Sequence, residues 1–140
     1  DEVLPLILEQ NKNLHIKLNI DKLRFPKIKC DEKRIKQVIH NLLKNAVIYS
    51  EHGNIILSID TGKTAINISV SDEGVGIPDD EKSEIFEPFF EGSRTKTSAK
   101  GKGLGLSVAQ KIIFLHNSVI TVKDNKNGGS IFKFSLSYNM

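Results

Sequence analysis

The 140-residue sequence has one cysteine, four prolines, one methionine and no tryptophan. A single thiol, Cys30, excludes an intrachain disulfide and any thiolate cluster for zinc. It also predicts a reducing, cytoplasmic setting, with Cys30 as a small buried hydrophobe in a short strand over Pro26–Cys30. Aromatic residues amount to 6%, too few for the stacking platform of a single-strand nucleic-acid binder. No apolar run approaches the roughly 20 residues that cross a bilayer. The N-terminus lacks the basic stretch and apolar core of a signal peptide. Neither a membrane contact nor a nucleic-acid partner is therefore expected. The chain begins with Asp1 and not with methionine, and is read as a piece of a longer protein.

What is present is an ordinary globular composition, 39% hydrophobic and 26% charged, with a formal net charge of +3. The length fits one domain over residues 1–140. The basic excess is small and dispersed, which suits an anionic ligand better than a nucleic-acid surface.

Periodicity supplies the elements. Residues 2–13 outline a short helix. Leu14, Ile16, Leu18 and Ile20 alternate with polar neighbours, as in a strand with one buried face. Asp31 reads as the N-cap of a helix from about Glu32 to Tyr49. Its apolar stripe is Ile35, Val38, Ile39, Leu42, Leu43 and Ala46. Ile55–Ile59 and Ala65–Val70 predict a hairpin whose turn, Asp60–Lys63, uses the φ freedom of Gly62. Residues 72–103 are rich in glycine, serine and charge, with one helical island near Asp80–Phe86; such a stretch is characteristic of a binding loop or lid. A second helix over Leu104–Leu115, a strand over Val119–Lys123, a turn over Asp124–Gly129 and a strand over Ile131–Ser137 complete an α+β pattern.

Three segments carry candidate chemistry. In Asp72-Glu-Gly-Val-Gly-Ile-Pro78, a carboxylate at a strand end precedes two glycines that let backbone approach a flat ligand. It reads equally as a base-recognising acceptor or as a turn with a solvated acid. In Gly101-Lys-Gly-Leu-Gly-Leu106, glycines open a helix whose unpaired N–H groups attract anions. The third segment is Asn41-Leu-Leu-Lys-Asn45. Two asparagines, unfavourable in mid-helix, stand four apart beside the apolar stripe, either as satisfied buried polar groups or as oxygen donors for Mg²⁺.

Together with Phe86-Glu-Pro-Phe-Phe90, these segments in this order resemble the asparagine, first glycine, phenylalanine and second glycine boxes of the histidine-kinase catalytic domain. That domain shares its superfamily with gyrase B and with heat-shock chaperone and mismatch-repair ATPases. The resemblance covers essentially the whole chain, including Asp31, Arg34 and Gln37-Val38. It implies a two-layer α/β sandwich of the Bergerat type, with a mixed, mostly antiparallel sheet, helices on one face and a mobile ATP lid between Phe90 and Gly101. It implies Mg²⁺ on Asn45, with Asn41 supporting the phosphate side. Asp72 would hold the adenine amine, with Tyr49, Gly74, Gly76 and Ile77 shaping the base pocket. Gly101, Lys102, Gly103, Leu104, Gly105 and Leu106 would face the phosphates. Phe86, Phe89 and Phe90 would anchor the lid.

Hydrolysing relatives place glutamate where this sequence has Asn41, a residue unable to act as general base. The resemblance therefore implies transfer of the γ-phosphoryl group from ATP, with ADP as product, to a histidine on a separate dimerisation helix pair and indirectly to a response regulator. His15, His40, His52 and His116 lack the setting of a phosphoacceptor. Ile48 and Glu91 replace residues that are commonly basic in the family, and Arg94 and Lys96 are the candidates to compensate at the γ-phosphate. Asn117-Ser118 replaces a glycine pair and should affect only a turn. The alternatives are a degenerate regulatory module that binds nucleotide without transfer, or a slow ATPase.

Overall fold

The computed structural model describes residues 13–20, 28–88, 90 and 105–138. In chain order these form strand β1 (Asn13–Ile20), helix α1 (Glu32–Ile48), and strands β2 (His52–Thr61) and β3 (Ala65–Ser71). One turn of 3-10 helix (Asp79–Glu81), helix α2 (Gly105–Leu115), and strands β4 (Thr121–Asp124) and β5 (Ser130–Ser137) follow. The helix expected over residues 2–13 lies outside the described residues, save that Asn13 opens β1.

The five strands form one sheet in the order β1-β2-β3-β5-β4. β1 runs parallel to β2 and every other pairing is antiparallel. A parallel neighbour requires a crossover, and α1 provides it. Alternation then puts one face inside. Leu57, Val70 and Phe132 lie side by side across β2, β3 and β5, as do Ile68 and Phe134, and Ile66 and Leu136. The opposite face is polar and half-exposed. There Ser135 Oγ donates to Asn67 Oδ1 at 2.7 Å, and Asn67 Nδ2 donates to Asp60 Oδ1 at 3.0 Å.

Both helices contribute to the core that the inner sheet face closes. On α1, Ile35, Val38, Leu42, Ala46 and Val47 are buried, and Ile39 and Leu43 pack at the margin, which is the stripe the sequence predicted. Asp31 caps it by accepting from the Arg34 N–H at 3.2 Å. α2 buries Leu106, Ala109, Ile112 and Ile113. It ends in a Schellman motif: Ser118 N–H donates to Ile113 O, and Asn117 N–H to Phe114 O, both at 3.0 Å. Asn117 takes φ 61°, so asparagine replaces the expected glycine with only a turn affected.

Two side-chain bridges lock the helices down. Gln110, buried on α2, exchanges two bonds with Ile120: its Nε2 donates to the carbonyl at 3.0 Å and its Oε1 accepts from the N–H at 2.8 Å. His116 accepts from the Asp31 N–H through Nε2 at 3.1 Å and donates from Nδ1 to Ile112 O at 2.8 Å. The start of α1 is thereby tied to the end of α2, so the two helices run antiparallel.

Several expectations are corrected. Residues 28–30 form no strand and pair with none in the sheet, and Cys30 is exposed; Pro26 and Lys27 lie outside the described residues. Leu18 and Ile20 are 65% and 40% exposed, so the face of edge strand β1 expected to be buried is covered at Leu14 and only partly at Ile16. The helical island is only the 3-10 turn followed by turns through Phe86. Gly62 is absent from the positive-φ glycines. It is constrained by its close approach to Ala65 O, which a Cβ would meet at 3.0 Å. Among the described residues no helix is long and apolar enough to cross a membrane.

Leu42 is fully buried at the seam of helices and sheet. Leu42→Ala should lower the free energy of unfolding by about 2–5 kcal/mol, read from urea denaturation.

Candidate functional site

β3 delivers Asp72 to the sheet end, where the carboxylate is 3% exposed. This is no solvated acid. Its Oδ1 accepts from the Gly74 N–H at 3.0 Å and from the Ser130 N–H at 3.2 Å. Its own N–H donates to Ser130 O at 2.9 Å, and its carbonyl accepts from Asn125 Nδ2 at 2.8 Å. Backbone donors of this kind compensate the burial of a charge and fix its direction. Gly129 makes the approach possible: at φ 90° it lies so close that a Cβ would sit 2.1 Å from Asp72 O and 2.7 Å from Oδ1.

The other flank of the glycine loop rests on the end of α1. Val75 N–H donates to Tyr49 O at 3.2 Å. A Cβ on Gly74 would lie 2.2 Å from Tyr49 O and 2.8 Å from Ser50 Oγ, so only glycine fits this approach. The buried Ser50 hydroxyl finds no hydrogen-bond partner there. Glu73 Oε1 accepts from the Asn54 N–H at 2.6 Å, anchoring the loop to β2. Ile77 is buried. A cavity of about 400 Å³ adjoins it, lined by residues 75–78 of the loop and by Asp124, Asn125, Gly128 and Gly129 of the β4–β5 turn.

Lys82 stands at the far end of the loop. Its ammonium donates to Ile77 O at 2.9 Å, to Asp79 Oδ1 at 2.5 Å and to Asp124 Oδ1 at 3.0 Å. The hydrogen bond from Lys82 holds the Asp79 carboxyl below its ordinary range. Asp79 and then Asp124 hold the Lys82 ammonium above its own. The lowered Asp79 contributes above the ordinary carboxylate range and fades as pH falls through its shifted value; the raised Lys82 contributes below the ordinary lysine range and fades as pH rises through its shifted value. Asp79 and Lys82 are therefore both charged at neutral pH.

The asparagines occupy one flank of α1. Asn41 Nδ2 donates to Gly105 O at 3.2 Å, which brings the first residue of α2 against α1. Asn45 stands one turn further on, half-buried, with its carbonyl accepting from the Tyr49 N–H at 3.2 Å. Among the described residues no group of three or more histidine, cysteine, aspartate or glutamate side chains can hold a metal. An amide oxygen such as that of Asn45 could join oxygens of a ligand around a hard cation, a donor set that suits Mg²⁺ and not zinc.

Of the residues predicted from sequence, Tyr49, Gly74 and Asp72 form one continuous wall, and Gly76 and Ile77 prolong it. Asn41 meets Gly105, and Leu106 is buried behind it. Phe86 packs edge-on against Phe132, with centroids 6.2 Å apart, and Phe90 packs at the core margin. Phe89, Glu91, Arg94, Lys96, Gly101, Lys102, Gly103 and Leu104 lie outside the described residues. The sequence did not single out Ser50, Glu73, Lys82, Asn125 or Ser130. Ser130 had a legible signal, for it falls in phase with the buried Phe132, Phe134 and Leu136. Ser50, Glu73 and Asn125 are distant in sequence from the groups they touch, as Lys82 is from Asp124.

Comparison with known proteins bears on this geometry. Residues 30–140 match the family described as histidine kinase-, DNA gyrase B-, and HSP90-like ATPase. The adaptive-response sensory kinase SasA of Gloeothece citriformis is 41% identical over 129 residues, 91% of this chain and 32% of that protein. The nucleotide-free catalytic domain of histidine kinase ThkA is similar with a TM-score of 0.78 and 33% identity, covering 98% of this chain and 90% of that one. Full-length ShkA in complex with AMPPNP has a TM-score of 0.78 and 26% identity, covering 96% of this chain and 28% of that one. The chain spans about a third or less of the curated relatives it matches.

Gly128 and Gly129 separate two effects. Both have positive φ, but a Cβ on Gly128 would meet nothing within 4 Å. Gly128→Ala should cost about 1–2 kcal/mol, from its left-handed backbone alone. Gly129→Ala, which collides with Asp72 as well, should cost several times more or prevent folding; equal unfolding midpoints for the two variants would refute the tight Gly129–Asp72 packing.

Proposed function

The chain belongs to the histidine kinase-, DNA gyrase B- and HSP90-like ATPase family, and from that premise we propose that it is the ATP-binding catalytic domain of a two-component histidine kinase. It binds Mg²⁺-ATP and donates the γ-phosphoryl group to a histidine on separate dimerisation helices. That histidine in turn supplies a response regulator.

The observation that carries this reading is Asp72. A buried carboxylate held by two backbone N–H groups is a pre-oriented acceptor for an exocyclic amine such as that of adenine. Gly74 and Gly76 keep side chains off the adjoining wall, and Ile77 supplies an apolar surface for a flat base. Asn41 holds the first residue of α2 against α1, and this end is the candidate to offer backbone N–H groups to phosphate, a role also assigned to Gly101, Lys102, Gly103 and Leu104. Arg94 and Lys96 are assigned to the γ-phosphate. Asn45 is the residue that would hold Mg²⁺, whose charge offsets that of the triphosphate when bound.

In the transfer, a nitrogen of the acceptor imidazole bonds to the γ-phosphorus while the bond from phosphorus to the bridging oxygen breaks, and ADP departs. The domain's share is positioning and charge stabilisation. Asn41, a neutral amide already donating to Gly105 O, cannot take a proton from water, which favours transfer over hydrolysis.

Titration with ATP, with and without Mg²⁺, tests the site. Asp72→Asn keeps an oxygen for the Gly74 and Ser130 N–H groups but loses the charge, and should weaken ATP binding about 10- to 100-fold. Asn45→Ala should mainly abolish the dependence on Mg²⁺. Binding by both variants equal to the parent would refute the assignment. Mixing the domain with a matching dimerisation fragment and γ-labelled ATP should yield acid-labile phosphohistidine; ATP binding without it would point to the regulatory module instead.

A further inference from the structure

The glycine loop that follows β3 is intrinsically soft. It contains Gly74 and Gly76, the latter at φ 73°, and between Val75 and Pro78 one of its sides faces the cavity described above. A base-recognising wall built on such a segment needs ties at both ends. At the near end Asp72 is bound to Asn125, Gly129 and Ser130 of the β4–β5 hairpin through the contacts already described. At the far end the connection is Lys82.

We propose that Lys82 is a positioning residue for base recognition, clamping the distal end of the glycine loop to the β4–β5 hairpin. This rests on the reading of Asp72 and Ile77 as the base site. Lysine is rarely buried unless paired, yet the Lys82 side chain is only 18% exposed. An ammonium has three donors, and three acceptors surround this one: Ile77 O, Asp79 Oδ1 and Asp124 Oδ1. Two belong to the loop and its continuation, and the third is the last residue of β4. Asp124 is followed by Asn125, whose side chain binds Asp72 O. The hairpin corner at residues 124–125 therefore grips the loop at both ends, by the Asn125 amide at Asp72 and, through the Asp124–Lys82 ion pair, at the Ile77 carbonyl. With the Ile77 carbonyl fixed, its core-buried side chain is held in place beneath the base site; Lys82 adds a tie to the hairpin beside the Val75 hydrogen bond to Tyr49 O and the following 3-10 turn. A looser wall affects every adenine nucleotide alike and leaves phosphate and metal contacts alone.

The test compares Mg²⁺-ATP, ADP and inorganic tripolyphosphate as ligands of the 140-residue chain, by calorimetric titration. Lys82→Met should raise Kd for ATP and ADP in equal proportion, by about 3- to 10-fold, as expected for loss of a charge-assisted contact at a half-open position. Tripolyphosphate affinity and the Mg²⁺ dependence should be unchanged. Lys82→Arg should recover part of the loss. Asp124→Asn, at a side chain 68% exposed, should reproduce the selective loss and decides the matter if Lys82→Met does not fold. The double variant should be no weaker than Lys82→Met alone. Nucleotide Kd values equal to the parent's, or tripolyphosphate weakened in the same proportion as ATP, would overturn the proposal. Asp72→Asn in the same series separates the two readings. If it binds ATP like the parent, the base site itself is wrong; if it alone loses ATP, only the role of Lys82 fails.

Discussion

The geometry of this protein depends on one buried carboxylate. Asp72 lies where β3 ends and the β4–β5 hairpin turns back, and a charge there is tolerable only because backbone N–H groups converge on it. Meeting that requirement determines much else. Gly129 must lack a side chain, Ser130 must begin β5 in register with Ser71 and Asp72, and Gly74 must fold back under the carboxylate. The same loop then has only one route, between the end of α1 and the hairpin. A group that is expensive to bury is thus the point from which the surrounding wall is aligned.

A second constraint places the helices. α1 and α2 bury apolar stripes against the same sheet face, and apolar packing by itself would allow them to slide along one another. Polar contacts at the two ends of the pair remove that freedom. Asn41 binds Gly105 at one end and His116 binds Asp31 at the other, while Gln110 pins α2 to the strand that follows. The first residue of α2 is consequently set beside Asn41, one turn before Asn45 on α1. Directional bonds supply register where burial supplies only adhesion.

Much of this was readable in the residue order. The α1 stripe, its Asp31 cap, the β2–β3 hairpin and the alternation of β5 are period signals set by local geometry, and each appears within three residues of its predicted bounds. Asp72, the two asparagines and the glycine loop were also legible, because each breaks a local rule: a charge at a strand end, asparagine in mid-helix, paired glycines after a strand. Lys82 and Glu73 were not. In sequence they resemble any charged surface residue, and their partners are defined only by folding. Cys30 shows the opposite error, since an apolar alternation suggested a buried strand where residues 28–30 form none and the thiol is exposed.

Local periodicity and motif order thus determined which elements form, which faces turn inward and which residues are the candidates for the chemistry, for these follow from bond geometry and the chemistry of single side chains. The sheet order, the parallel seat of β1, the antiparallel helix pair and the convergence of positions 49, 74, 82, 124 and 130 on one loop were decided by tertiary structure alone. They depend on contacts between residues far apart in the chain, whose pairing emerges only when the whole core closes and every buried polar group must find its partner at once.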